Sequence, residues 1–245
     1  MALKKSAVAV AALFIGQSAL AQDHLAPEDS VYASRAFQDD ALLDYDINVA
    51  RKFEELFDGT AARAIILPSL ETEYGIAITY GKDNPKIIGL RTEFQLWGYS
   101  LLKEFESGKP PPSDRFAEQK KETMRLLRAS LPSRIEDVKL ARCEMPLDAA
   151  DHALLTDLWR AMLFAVRYSP SSRPGIDGET YHFSGDFDFQ FVAGKAWSPK
   201  SESRTGRFTK TADLLFQACS EKSVEKLLDA RRTAIALCEE VGCDG

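Results

Sequence analysis

The sequence carries little of what announces an enzyme. It has three histidines, His24, His152 and His182, so any relay that uses an imidazole must run through one of them. It contains no phosphate-binding GxxxxGK[ST] loop, GxGxxG turn, GxSxG elbow, HExxH helix or twelve-residue calcium loop. The four cysteines include no Cys-x-x-Cys pair and have no histidine at ligand spacing, which argues against a thiolate–zinc site. No segment offers the ~20 apolar residues that a membrane-spanning helix needs. Repeats and low-complexity tracts are lacking too, apart from Lys109-Pro110-Pro111-Pro112. These absences lean the reading away from catalysis, and they imply no cofactor and no metal.

The first 21 residues have the layout of an export signal. Lys4-Lys5 supply a positive start, residues 7–16 an apolar run too short to cross a bilayer, and Ala19-Leu20-Ala21 a small-x-small site before Gln22. Gln22 is not a cysteine, so a lipidated N-terminus is not expected, nor any stable membrane anchor. The expected address is the periplasm, or the medium beyond it. Loss of Lys4 and Lys5, with no acid among residues 1–21, takes the formal charge from −6 to −8. An acidic chain does not attract phosphate backbones or anionic lipid, so nucleic acid is not an expected partner. A protein partner is expected, and a basic one would complement the charge.

Export places Cys143, Cys219, Cys238 and Cys243 where disulfides persist. Residues 220–241 read as one helix, with Val224, Leu227, Leu228, Ala234, Ile235, Leu237 and Val241 as its stripe. At 1.5 Å per residue such a helix separates Cys219 from Cys238 by roughly 30 Å. A disulfide needs Cα atoms within about 7 Å. Of the three pairings, only Cys143–Cys219 with Cys238–Cys243 remains.

The expected fold class is α+β: antiparallel hairpins packed on a long amphipathic helix, with a closing helical pair, in one domain over residues 22–245. Residues 22–40 read as a loosely held arm, and 46–57 as a short helix. Residues 63–67 read as a brief β run ended by Pro68. Tyr74, Ile76, Ile78 and Tyr80 alternate with small residues as a half-buried strand, and Ile88 to Leu96 alternate as its hairpin partner. Residues 107–113 form a proline-rich surface connection, 115–130 a charged helix, and 135–143 a further strand through Val138 and Leu140. The strongest helix is 146–168, with Leu154, Leu155, Leu158, Trp159, Met162, Leu163 and Val166 on one face. Residues 208–218 and 220–241 supply the closing pair.

The most patterned stretch is 175–199, GIDGETYHFSGDFDFQFVAGKAWSP. Parity sorts Tyr181, Phe183, Phe187, Phe189 and Phe191 onto one face if the loop is Ser184-Gly185-Asp186, and that register sets His182 opposite Asp188. Asp177, Glu179, His182, Asp186 and Asp188 then make the one constellation that suits acid–base or metal chemistry. His182, Asp188 and Asp177 are its catalytic candidates. Arg167, Tyr168, Asp177, Lys195 and Trp197 border the loop before the hairpin and are candidate binding residues, since arginine and aromatics anchor protein interfaces. Two functions follow. The first is an exported, non-enzymatic binding protein of immunity or inhibitor type, directed at a cell-envelope hydrolase or effector. The alternative is a periplasmic enzyme working through His182.

Overall fold

A computed structural model of the chain describes residues 23–27, 49, 52–53, 56–81, 83–99, 102, 117–132, 137–167 and 178–243. The elements are β1 (Ala26–Pro27), β2 (Thr60–Pro68), β3 (Tyr74–Thr79), β4 (Lys86–Thr92), α1 (Ala117–Ser130), β5 (Leu140–Pro146), α2 (Ala149–Phe164), β6 (Glu179–Phe187), β7 (Gln190–Trp197), α3 (Arg204–Glu221) and α4 (Val224–Val241). The strands form one seven-stranded antiparallel sheet in the order β1-β7-β6-β2-β3-β4-β5. The fold is α+β, with a C-terminal helical pair.

The sheet is packed on both faces. On one, Ala62, Ala64 and Ile66 of β2, Tyr74, Ile76 and Ile78 of β3, and Tyr181, Phe183 and Phe187 of β6 meet the helices. The indole of Trp159 in α2 lies edge-on to Phe183 at 6.0 Å and to Phe208 of α3 at 4.6 Å. Phe183 and Phe208 stack at 4.3 Å. Each such ring contributes on the order of 1.5–3 kcal/mol by leaving water, and this face holds the sheet and helix layers together. On the other face Phe53, Phe57, Ile65, Leu67, Ala77, Ile88, Leu90 and Leu96 form a second buried cluster. Double-sided packing explains why β2 reads TAARAIILP, a nearly unbroken apolar run. It also explains why β3 is buried on both faces rather than half-buried.

Helix limits follow their caps. Asp148 accepts the N–H of Asp151 at 2.7 Å and starts α2 there, later than residue 146. Ser203 and Ser223 do the same for α3 and α4. Residues 220–241 are therefore not one helix. The chain breaks at Lys222, whose φ of 55° closes α3 in a left-handed turn. The charged helix is described over Ala117–Ser130, its expected start at residue 115 lying outside the described residues, and the late strand begins at Leu140.

β4 ends at Thr92, short of the expected Leu96. The reason is Glu73, a fully buried carboxylate. It accepts the Thr92 hydroxyl at 3.0 Å and the Leu96 N–H at 2.9 Å, and so turns the chain into a helical start. The arm is held more firmly than expected: Leu25 is completely buried and β1 pairs with β7. The rest of the arm and residues 107–113 lie outside the described residues.

Both disulfides are as the spacing requires, Cys143–Cys219 with Cα atoms 5.7 Å apart and Cys238–Cys243 at 4.9 Å. The first ties the outer strand β5 to α3. Lys222 also donates its ammonium to the Glu144 carbonyl, and Glu144 pairs with Lys86 and Arg142. These charges guard an edge that would otherwise offer a free strand face. No helix among the described residues is long and apolar enough to cross a membrane.

Candidate functional site

The central hairpin is real, but its turn lies four residues beyond the expected one. Phe187 pairs with Gln190, Phe183 with Gly194 and Tyr181 with Ala196, so the loop is Asp188-Phe189. Both residues have left-handed φ, 51° and 64°, as a two-residue type I′ turn demands. β6 therefore runs straight through Gly185, and the Phe187 ring folds over that glycine; a Cβ there would lie 2.4 Å from it. Opposite Tyr181 and Phe183 stand the small residues Ala196 and Gly194, and opposite Gly185 stands Val192. The sheet matches large residues with small ones and leaves the space above to Trp159 and Phe208.

This register corrects the expected site. Only Tyr181, Phe183 and Phe187 share the buried face. Phe191 points to the other side, 56 % exposed, with the Arg63 guanidinium 5.4 Å over its ring. Phe189 stands in the turn at 110 % relative exposure. His182 lies between Ile65 and Lys195, not opposite Asp188. Six residues of extended strand keep the two about 20 Å apart. Asp188 instead pairs with Arg160 of α2 at 2.7 Å. The remaining histidines have structural surroundings. His152 Nε2 bonds to the Thr79 carbonyl at 2.9 Å, and burial, then the nearby Arg167 and Arg204, lower the pKa of His24.

The expected binding residues divide. Arg167 donates its backbone N–H to Leu25 at 3.0 Å, and the next residue, Ala26, pairs with the buried Lys195. Those two therefore meet along the β1–β7 edge. Trp197 packs over Gly178 at the opposite end of the sheet from the turn, where Ser69 exchanges hydrogen bonds with Gly178. Asp177 and Tyr168 lie outside the described residues.

Two groupings escaped the sequence reading. The first is the turn end itself. Phe164 stands 6.5 Å from Phe187 and is 53 % exposed, and Tyr80, also half-exposed, is bonded to Asp186. Phe164 and Arg160 flank Phe187 on the helix face, where Arg160 holds Asp188, while Tyr80, Asp186 and Phe191 lie with Arg63 on the other face. The exposed Phe189 thus stands at a tip that carries rings on both sides of the sheet. The second lies at the other end, on the helix face. There Tyr74 and Tyr181 both contact Asp213 of α3, and Tyr181 also contacts Glu179. Asp213 had left a trace in the sequence: it falls four residues after Thr209 and three before Phe216, within the buried side of α3. Among the described residues no three histidine, cysteine or acidic side chains converge as metal ligands. Comparison with protein-family models, with curated proteins and with solved structures finds no match to this chain.

Proposed function

We propose that this chain is an exported, non-enzymatic protein-binding protein that engages its partner with the tip of the β6–β7 hairpin. Its class would be an immunity or inhibitor protein acting on a cell-envelope effector or hydrolase. One observation carries the reading: Phe189 occupies a left-handed turn position with its whole side chain in solvent. A bulky residue at such a φ costs about 1–2 kcal/mol, and asparagine or glycine would avoid that cost. The exposed ring recovers none of it by burial. A residue that is unfavourable for both backbone and solvation is accounted for by a pocket on another molecule.

Supporting features surround it. Phe164 on the helix face, and Phe191 and Tyr80 on the other, add exposed apolar surface on either side of the tip, and the Arg160–Asp188 pair adds charge on the helix side. The two-residue turn on a seven-stranded sheet presents the ring rigidly, so little entropy is lost on docking. The two disulfides suit an oxidising compartment, in keeping with residues 1–21 as an export signal. An acidic chain favours a basic partner.

A photo-crosslinking amino acid placed at position 189, and at the exposed Glu122 of α1 as control, tests the reading in envelope extract. The expected result is one protein adduct from position 189 and none from 122. Unlabelled wild-type chain should compete it away, and a Phe189→Ser chain should not. Identical adducts from both positions, or equal competition by Phe189→Ser, would overturn the proposal.

A further inference from the structure

Tyr74 of β3 donates its hydroxyl to Asp213 Oδ1 at 2.8 Å. The Tyr181 hydroxyl of β6 lies 2.6 Å from Glu179 Oε2 and 3.0 Å from Asp213 Oδ2. Tyr181 owns one hydroxyl hydrogen, and an ionised carboxylate can only accept. With both acids ionised, one of its two contacts would set lone pair against lone pair. The shorter contact assigns the hydrogen to Glu179. The longer one becomes a hydrogen bond when Asp213 Oδ2 carries a proton and donates it to Tyr181. Each oxygen then has one role in an unbroken series, Tyr74 to Asp213, Asp213 to Tyr181, Tyr181 to Glu179.

We propose that Asp213 is held as a carboxylic acid in this series, and that the series is a proton-dependent clamp fastening α3 to the sheet. The clamp joins three elements, β3, β6 and α3. It loosens when the proton leaves and two carboxylates must share one hydroxyl hydrogen.

The surroundings agree. Burial, followed by the charge of Glu179, pushes the Asp213 carboxyl up from 3.8 to about 6, against the lowering effect of the two tyrosine hydrogen bonds. Burial and the nearby Asp213 also raise both phenols, which stay protonated throughout. Arg91 of β4 is the cation facing the group, 5.4 Å over the Tyr74 ring and 4.9 Å over Phe216. It opposes the rise at Tyr74.

The direction of the pH effect follows. Between about pH 4 and pH 6 the unfolded chain has released this proton and the folded chain retains it, so the folded state binds more protons. Stability from the clamp is therefore lost as pH rises through that window. With pKa values of 3.8 and about 6, the folding constant drops about tenfold from pH 5 to pH 7. His24, with its lowered pKa, acts in the opposite sense. Asp151, raised by burial against the pull of Arg231, acts in the same sense. The measurement must therefore be a difference between two chains.

Asp213→Asn supplies it, because an amide can donate to Tyr181 and accept from Tyr74 without titrating. Chemical denaturation of both chains at pH 5 and pH 7 should show the wild type losing about tenfold more of its folding constant than Asp213→Asn. In the wild type, the carbon-13 carboxyl resonance of Asp213 should titrate near pH 6, and Glu179→Gln should move that midpoint down. A wild-type midpoint below 4.5, or an equal pH response in the two chains, would overturn the proposal. The carboxyl titration needs no variant, so failure of Asp213→Asn to fold leaves it decisive. Neither readout depends on what the hairpin tip binds.

Discussion

Replacing Cys143 and Cys219 together by alanine removes the covalent link between β5 and α3. The bond closes a loop with a sequence separation of 76. Chain-entropy arithmetic for that length gives about 4.5 kcal/mol of stabilisation through the unfolded state, against about 2 kcal/mol for the separation of 5 at Cys238–Cys243. For a chain of this size 4.5 kcal/mol is worth roughly 10–15 °C in melting temperature. A packing effect adds to it. The two sulfurs sit on Gly89: a Cβ there would lie 2.5 Å from the sulfur of Cys143, 3.5 Å from that of Cys219 and 3.3 Å from the Phe216 ring. Gly89→Ala should therefore cost about 1–3 kcal/mol in the bridged chain. In the alanine double variant the added methyl enters space the sulfurs left, so the same change should cost markedly less. Urea denaturation of the four chains of this cycle, with Cys238→Ala/Cys243→Ala for comparison, measures both quantities. Two results would refute the reasoning. One is a loss from the long-loop bridge no larger than from the short-loop bridge. The other is an equal cost of Gly89→Ala in both backgrounds.

Two further consequences concern residues whose surroundings are unusual. Glu73→Ala strips the Thr92 hydroxyl and the Leu96 and Trp97 N–H groups of a buried acceptor. It should destabilise by about 2–4 kcal/mol in urea titrations, with Glu73→Gln recovering part of that, since one amide oxygen replaces two carboxylate oxygens. Phe189→Gly should leave the urea midpoint unchanged or slightly higher, because relief of the left-handed φ offsets the greater freedom of the unfolded chain. The same variant, added unlabelled, should fail to compete for the adduct formed from position 189, separating a binding role from a stabilising one.

The parts of the fold that could be read in advance are those governed by local spacing or hard geometry. The apolar face of α2 is a matter of periodicity, and burial of Leu155, Leu158, Trp159, Met162 and Leu163 follows it. The disulfide pairing came from reach alone. It survives the break at Lys222, because α4 still carries Cys238 about 21 Å along its axis from Val224. The turn of the hairpin was not legible for a physical reason. Ser184-Gly185 has turn chemistry and Phe189 has none, yet Gly185 is needed inside the strand to make room for the Phe187 ring. Pairing aromatic with aromatic across the strands also misjudged where volume is filled. The cross-strand partners of Tyr181 and Phe183 are the small Ala196 and Gly194, and the complementary rings come from α2 and α3. Glu73 and Asp213 act through residues up to 139 positions away, which no local pattern reveals. The His182–Asp188 pairing failed with the register on which it depended.

A fluorine-labelled phenylalanine at position 189 tests the central claim most directly, by its NMR resonance before and after addition of the protein captured through that position. The account predicts a solvent-exposed ring in the free chain, with a full light-to-heavy-water isotope shift, that becomes shielded from water when the partner is added. A ring already shielded in the free chain, or one that stays equally exposed at saturating partner, would contradict it.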